Sequence, residues 1–257
     1  MTRWTDGARP GEAPPWEAFG VDAARLPRHV AVIMDGNGRW ARQRGLERSE
    51  GHRAGVEAVR RVVRAASRLG IPALTLYAFS AENWKRPAAE VQFLWQLLAD
   101  TFRRDLPELK ENGVRVRVLG ERGGLPEPVQ AALSAAEEET AANDGLTAAF
   151  AVNYGGRQDI LRAVRTAVRE AQEGRLQPDE VDEAWMAARL ATAGLPELDL
   201  LIRSGGEMRV SNFLLWELAY AEFWSTPVLW PDFTAEDFYR AIADFQQRER
   251  RFGGLPE

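Results

Sequence analysis

Asp35, Gly36, Asn37, Gly38 and Arg39 put a carboxylate, two glycines and a guanidinium into five consecutive residues, directly after the apolar run from Val30 to Met34. A carboxylate can hold a divalent cation, glycines let backbone N–H groups approach phosphate oxygens, and a guanidinium clamps an oxyanion through two parallel hydrogen bonds. The set therefore suits a metal-bound diphosphate. Read alone, Asp-Gly-Asn-Gly is equally a hairpin turn. Against that, Trp40 to Leu69 is Arg-rich and then helical in period (Val56, Val59, Val62, Val63, Ala66), unlike a returning strand.

Three further clusters carry similar chemistry: Ser80-Ala81-Glu82-Asn83-Trp84-Lys85-Arg86, Asn153-Tyr154-Gly155-Gly156-Arg157, and the segment from Arg203 through Arg209, Val210, Ser211 and Asn212. Each follows an apolar run read as a strand. Asn83 or Ser211 alone reads as a helix cap before it reads as a ligand contact. Glu222 is the best second acid for a cation, since magnesium needs only one or two carboxylates beside substrate phosphates. By sequence alone the surface-carboxylate reading of Glu222 is the favoured one.

The elements that must position these clusters alternate. Strands are expected over 30–34, 73–79, 114–119, 146–152 and 198–202, with a short one near Val228. Helices are expected over 40–69, 87–112, 126–142, 158–173, 179–191, 213–220 and 235–250. Such alternation predicts an α/β fold: a single domain with a mainly parallel central sheet flanked by helices. In a parallel sheet the carboxyl ends share one edge, so the polar clusters would face one crevice. The helix from Glu90 to Phe102 is apolar over more than one stripe and could both pack in the core and line an apolar tunnel. Core packing or a dimer interface explains the same pattern. Ala78, small and at a strand end, would leave such a tunnel open.

At 257 residues the chain fits one large domain, here 28–257. Residues 1–27 hold Trp4, Trp16 and Phe19 among Pro, Gly and charge, lack a signal peptide's apolar core, and read as a mobile arm. A net charge of −5 gives no reason to expect nucleic acid. Yet residues 28–64 carry nine arginines against four acids, which suits an anionic ligand. Arg60, Arg61 and Arg64 are expected on a solvated helix face. Cysteine is absent, so disulfides and thiolate chemistry are excluded, and two histidines, His29 and His52, exclude an all-histidine metal site. No apolar stretch approaches the ~20 residues of a bilayer span. Walker-type, Gly-x-Ser-x-Gly and Asp-Asp-x-x-Asp motifs are missing.

The motifs together resemble one family. His29-Val-Ala-Val-Ile-Met-Asp-Gly-Asn-Gly-Arg-Trp-Ala41, Gly51-His-Arg-Ala-Gly55, Leu76 to Pro87, Asn153 to Arg157, Asp199 to Trp216, Ala219-Tyr-Ala-Glu-Phe223, Val228-Leu-Trp-Pro-Asp-Phe233 and Arg248-Glu-Arg-Arg-Phe-Gly-Gly254 are similar to the cis-prenyltransferases, in particular the bacterial undecaprenyl diphosphate synthases. The resemblance runs from His29 to Gly254. It implies condensation of isopentenyl diphosphate onto an allylic diphosphate, with farnesyl diphosphate as primer, to give a long cis-polyprenyl diphosphate of about undecaprenyl length for a cell-wall lipid carrier. It also implies Mg2+ as cofactor, a homodimer, and a cytoplasmic enzyme with at most peripheral contact at the inner membrane face.

Residue by residue, the resemblance makes Asp35 the metal-linked carboxylate, with Gly36, Asn37, Gly38, Arg39 and Arg48 holding the allylic diphosphate. Trp40 would lie beside the allylic chain and His52 near the phosphates. Ser80, Ala81, Glu82, Asn83, Trp84 and Arg86 match a flexible substrate loop. Asn83 is a proton acceptor by family analogy, but an amide is a poor base, so a positioning role is expected. Arg203, Arg209, Val210 and Ser211 match the isopentenyl diphosphate pocket, and Glu222 a magnesium ligand. Arg251 and Gly253 match an element that reaches the partner subunit's active site. Met208 stands where several relatives carry His, and Thr226-Pro227 where Thr-Asp is common. The rivals are another product length on the same fold, a non-catalytic prenyl-lipid binding partner subunit, and a phosphohydrolase using Asp35 as nucleophile. A non-catalytic subunit would be expected to lack Asp35 or the Asn-Trp-x-Arg loop, and both are intact.

Overall fold

A computed structural model describes Trp4 and residues 14–250. Its centre is one six-stranded sheet: β1 (His29–Ile33), β2 (Ala73–Ser80), β3 (Arg115–Leu119), β4 (Thr147–Tyr154), β5 (Leu200–Arg203) and β6 (Glu222–Ser225). The spatial order is β3-β4-β2-β1-β5-β6 and every ladder is parallel. Parallel strands covered on both faces read as near-continuous apolar runs, and β1 is buried at all five positions.

Side chains leave a strand alternately to its two faces. Val30 and Val32 join the larger core beneath the helices α2 (Arg48–Leu69), α3 (Ala88–Glu111) and α7 (Ala235–Gln246), whereas Ala31 and Ile33 join a second core with Leu201, Tyr154 and Phe213. The other helices are α1 (Asn37–Gln43), α4 (Glu127–Thr140), α5 (Gly156–Gln172) and α6 (Glu183–Ala187). No helix among the described residues is long and apolar enough to cross a membrane.

From β1 the chain crosses to β2 on one side, and from β5 to β6 on the other. Adjacent strands whose connections diverge define a topological switch point, and ligands of open α/β sheets bind in the crevice outside it. Here that point lies between Asp35 and Arg203.

Three expectations are corrected. The helix over 213–220 is only a 3₁₀ turn at Glu217–Tyr220, because Ser211, Asn212 and Leu214 take positive φ values of 49°, 61° and 42°. The last strand is Glu222–Ser225 rather than near Val228; Pro227 has no N–H to extend a ladder. Arg60, Arg61 and Arg64 do not form a solvated face. Arg60 grips both oxygens of Asp105 at 2.8 Å, Arg61 bonds the carbonyls of Pro231 and Phe233, and Arg64 pairs with Glu108 at 2.6 Å. Within 14–27, Trp16 and Phe19 lie 6.2 and 5.9 Å from the Tyr239 ring of α7, and Gln246 both donates to and accepts from the Asp22 backbone.

Candidate active site

Asp35 follows β1 by two residues, and the next helix starts at Asn37. Gly36 makes this abrupt exit possible: its φ is +113°, and a Cβ there would meet Leu229 at 2.9 Å. Ser204 fixes the Asp35 backbone, accepting from its N–H and donating to its carbonyl, which also accepts from the Trp230 N–H. The carboxylate is left facing two guanidiniums. Arg203 lies 2.9 Å from Oδ2 and Arg39 3.5 Å from Oδ1.

Arg203 is the hinge of the switch point. It is buried, and its guanidinium also donates to Ser211 Oγ at 2.9 Å and to the Arg209 carbonyl. Its Nε has no hydrogen-bond partner among the described residues. The Arg209 side chain turns away to Glu207, 2.5 Å from it, and Val210 is exposed.

The four strand-end loops are tied to one another. Asn212 bonds Glu82 at 2.7 Å and Gln158 at 3.1 Å, and accepts from the Arg157 N–H. Trp84 donates to Asn153 at 2.8 Å, and the Tyr77 hydroxyl bonds the Tyr154 and Ser211 carbonyls. Among the described residues, the non-glycine positive φ values fall at Asn153, Ser211, Asn212 and Leu214, all in two of these loops. Strain of this kind persists only where surrounding contacts enforce it. Asn83 works locally: its Oδ1 accepts from the Ser80 N–H and closes a capping box over Ala81–Lys85.

On the β1 side, Gly38, Arg39, Arg42, Arg48, His52 and Arg86 surround a polar crevice with Asp35. Helix α1 rests on α2 at Gly51, where a Cβ would stand 2.1 Å from the Asn37 carbonyl oxygen, so only glycine permits the approach. Glu90, which the sequence reading treated only as the start of an apolar helix, is the hub of this cluster. Its carboxylate lies 3.1 Å from Arg48, 3.4 Å from His52 and 3.0 Å from Arg86. The four-residue spacing from Arg86 was the available signal. Burial pushes the His52 pKa down, assisted by Arg86 and opposed by Glu90, so a neutral imidazole is favoured. Its Nδ1 lies 3.5 Å from the Asn37 amide.

Met34, Asn37 and His52 also line a second, apolar cavity under the sheet, bounded by α2 and α3. Ala78, Leu94, Leu98 and Phe102 are on its wall. Helix α3 thus packs Val91 and Ala99 in the core and presents other residues to this space.

Not every expected site residue converges. Trp40 lines neither cavity; its indole donates to Asp232 at 2.6 Å and carries Arg44 on its ring at 4.3 Å. Glu222 is level with Leu200 and Val30, at the opposite end of the strands from Asp35, and pairs with Arg248 at 2.9 Å. The structure therefore does not bring Glu222 to Asp35 within one chain. Arg251 and Gly253 lie outside the described residues. Among the described residues no group of three His, Asp or Glu is placed to hold a metal. The donor set still fits a cation held by the single Asp35 carboxylate with substrate phosphates completing the shell.

Comparison with known proteins agrees with this geometry. Residues 33–253 match the prenyltransferase family model described as undecaprenyl diphosphate synthase. The chain is 51% identical over 235 residues to an isoprenyl transferase of Heliobacterium mobile, covering 91% of this chain and 90% of that one. It is 54% identical over 229 residues to an isoprenyl transferase of Brucella suis, covering 89% and 90%. The crystal structure of lavandulyl diphosphate synthase from Lavandula x intermedia in complex with dimethylallyl diphosphate superposes with a TM-score of 0.86 at 41% identity, covering 89% of this chain and 98% of that one. A probable undecaprenyl diphosphate synthase from Campylobacter jejuni gives a TM-score of 0.72 at 34% identity, covering 89% and 99%.

Proposed function

The chain belongs to the undecaprenyl diphosphate synthase family of prenyltransferases, and from that premise we propose that it condenses isopentenyl diphosphate onto an allylic diphosphate in the crevice at Asp35, repeatedly and with cis geometry, to a product of about undecaprenyl length. The observation that carries this reading is the junction along Met34, Asn37 and His52, where a guanidinium-lined crevice meets an apolar cavity. One substrate class needs both: a diphosphate head on a hydrocarbon tail.

In this reading Arg39, Arg48 and the Gly38 backbone hold the allylic diphosphate, and Met34 and Ala78 begin the wall along which its tail lies. Arg203 and Ser211 hold the isopentenyl diphosphate head group across the switch point, with Arg209 swinging in from Glu207. A divalent cation bound by Asp35 and the phosphates would supply charge neutralisation for the departing diphosphate. The allylic C–O bond breaks to release diphosphate, the alkene of isopentenyl diphosphate attacks the allylic cation, and the resulting cation passes a proton to a phosphate oxygen, directly or through water, leaving the new double bond. Arg39, Arg48, Arg86 and Arg203 are already ordered by Asp35 and Glu90, so only Arg209 has to move to meet the developing negative charge. Asn83, held in its capping box, positions the loop over the reacting carbons rather than acting as a base. Homodimerisation and the peripheral membrane contact at product release belong to the same proposal.

The test is incubation with farnesyl diphosphate, labelled isopentenyl diphosphate and magnesium, with chromatographic sizing of the product. A ladder ending near undecaprenyl diphosphate supports the proposal. No elongation from any allylic primer would refute it.

A further inference from the structure

Helices α2 and α3 both start at the ligand edge of the sheet and run away from it. Along α2, from His52 at the crevice to Arg64, twelve residues span about 18 Å. There the apolar cavity reaches a polar collar: Arg60 with Asp105, and Arg64 with Glu108. At the collar stands Trp4, distant in sequence from the described residues it touches. Its backbone N–H donates to Asn112 Oδ1 at 2.6 Å, its indole N–H to Glu108 at 3.1 Å, and its carbonyl accepts from Arg68 at 3.1 Å. The Arg64 guanidinium sits 5.6 Å from its ring, and the residue is part of the cavity wall.

Chain termini are ordinarily poorly ordered unless tied down. Trp4 is tied by both backbone groups and by its side chain, to the last turns of the two helices that bound the cavity. Its polar edge is spent on Glu108, which leaves an apolar ring for the cavity. That division suits a tryptophan at a boundary between hydrocarbon and water.

We propose that Trp4 is a specificity-determining residue: its indole closes the far end of the apolar cavity and limits how long the prenyl chain grows. The proposal rests on the prenyl-transfer reading above. A lengthening hydrocarbon advances from the crevice toward α3's end, and there meets the ring and the charged pairs behind it. Further addition then requires either displacing an anchored indole or pushing apolar carbon among ion pairs, both unfavourable.

The test compares full-length wild type, Trp4→Ala and Asn112→Ala in the labelled elongation assay, reading product length rather than rate. Removing the indole opens space at the cavity end, so Trp4→Ala should lengthen the main product by about one isoprene unit or more. Asn112→Ala, which only loosens the anchor, should shift it in the same direction by less. It also decides the matter if Trp4→Ala does not fold. Unchanged or shorter products from a folded variant overturn the stopper role. A wild-type protein that elongates nothing overturns the prenyl-transfer reading instead, so the two failures are distinguishable.

Discussion

The carboxylate of Asp35 and the guanidinium of Arg203 meet at 2.9 Å across the switch point between β1 and β5. Arg203 is almost wholly buried while Asp35 is partly open to the crevice, so the cation is fixed and the anion is available. Lysine cannot reproduce the planar fork that holds Asp35, Ser211 and the Arg209 carbonyl together. Arg203→Lys is therefore expected to raise KM for isopentenyl diphosphate and lower kcat/KM by about 10²-fold. Steady-state kinetics with each substrate varied checks this; an unchanged KM would mean that the head group lies elsewhere.

Glu90 holds Arg48, His52 and Arg86 from one carboxylate. Glu90→Gln keeps the shape but removes the charge that orders the Arg48 and Arg86 guanidiniums. A loss of about tenfold in kcat/KM for the allylic primer is expected, since hydrogen bonds to charged groups contribute about 1.5–3 kcal/mol. KM should carry most of it. A purely structural Glu90 would instead lower the melting temperature and leave KM alone.

Gly51→Ala tests how the guanidinium-lined crevice at Asp35 is built. The added methyl would press on the Asn37 carbonyl, driving α1 off α2. Overpacking of this kind costs about 1–3 kcal/mol, and it shifts Gly38 and Arg39 with the helix. Both the denaturation midpoint and activity should fall. Wild-type activity in this variant would show that the α1 position is not critical.

His29 supplies a pH dependence of stability. It is fully buried at the start of β1, with Nδ1 on the Pro196 carbonyl and Nε2 on the Thr75 hydroxyl. Burial pushes its pKa down to about 4, against smaller raising effects from the Pro196 carbonyl and Asp199. Between pH 6.5 and pH 4 the unfolded imidazole is protonated and the folded one is not, so the unfolded state binds more protons and stability falls as pH falls. Above pH 6.5 the contribution vanishes. The full loss is about 3 kcal/mol. Urea unfolding at pH 7, 6 and 5 should show a flatter pH dependence for His29→Gln than for wild type; equal slopes would rule this out.

The strand-end logic was readable from sequence because it depends on periodicity. Once 30–34, 73–79, 146–152 and 198–202 are parallel strands, Asp35, Ser80, Asn153 and Arg203 must share an edge, and the ties through Asn212, Trp84 and Arg203 join those loops. Other features depend on tertiary packing. Glu90 gains its role because α3 begins beside the start of α2, and Trp4 because both helices end together. Arg60 and Arg64 look like surface charge until α3 supplies Asp105 and Glu108. The Glu222 placement followed chain order, which carries no register; β6 pairing puts it at the far end of the sheet. The failed helix at 213–220 reflects a turn strained by contacts that no local propensity encodes.

The central claim is that Asp35 triggers departure of the allylic diphosphate. Its most direct measurement is single-turnover incorporation of labelled isopentenyl diphosphate into farnesyl diphosphate by wild type and Asp35→Ala, both confirmed folded by circular dichroism. Wild type should add rapidly and the variant should lose about 10³-fold or more, the scale of removing a group that acts on transition-state charge. Addition by Asp35→Ala at a rate near wild type would contradict it.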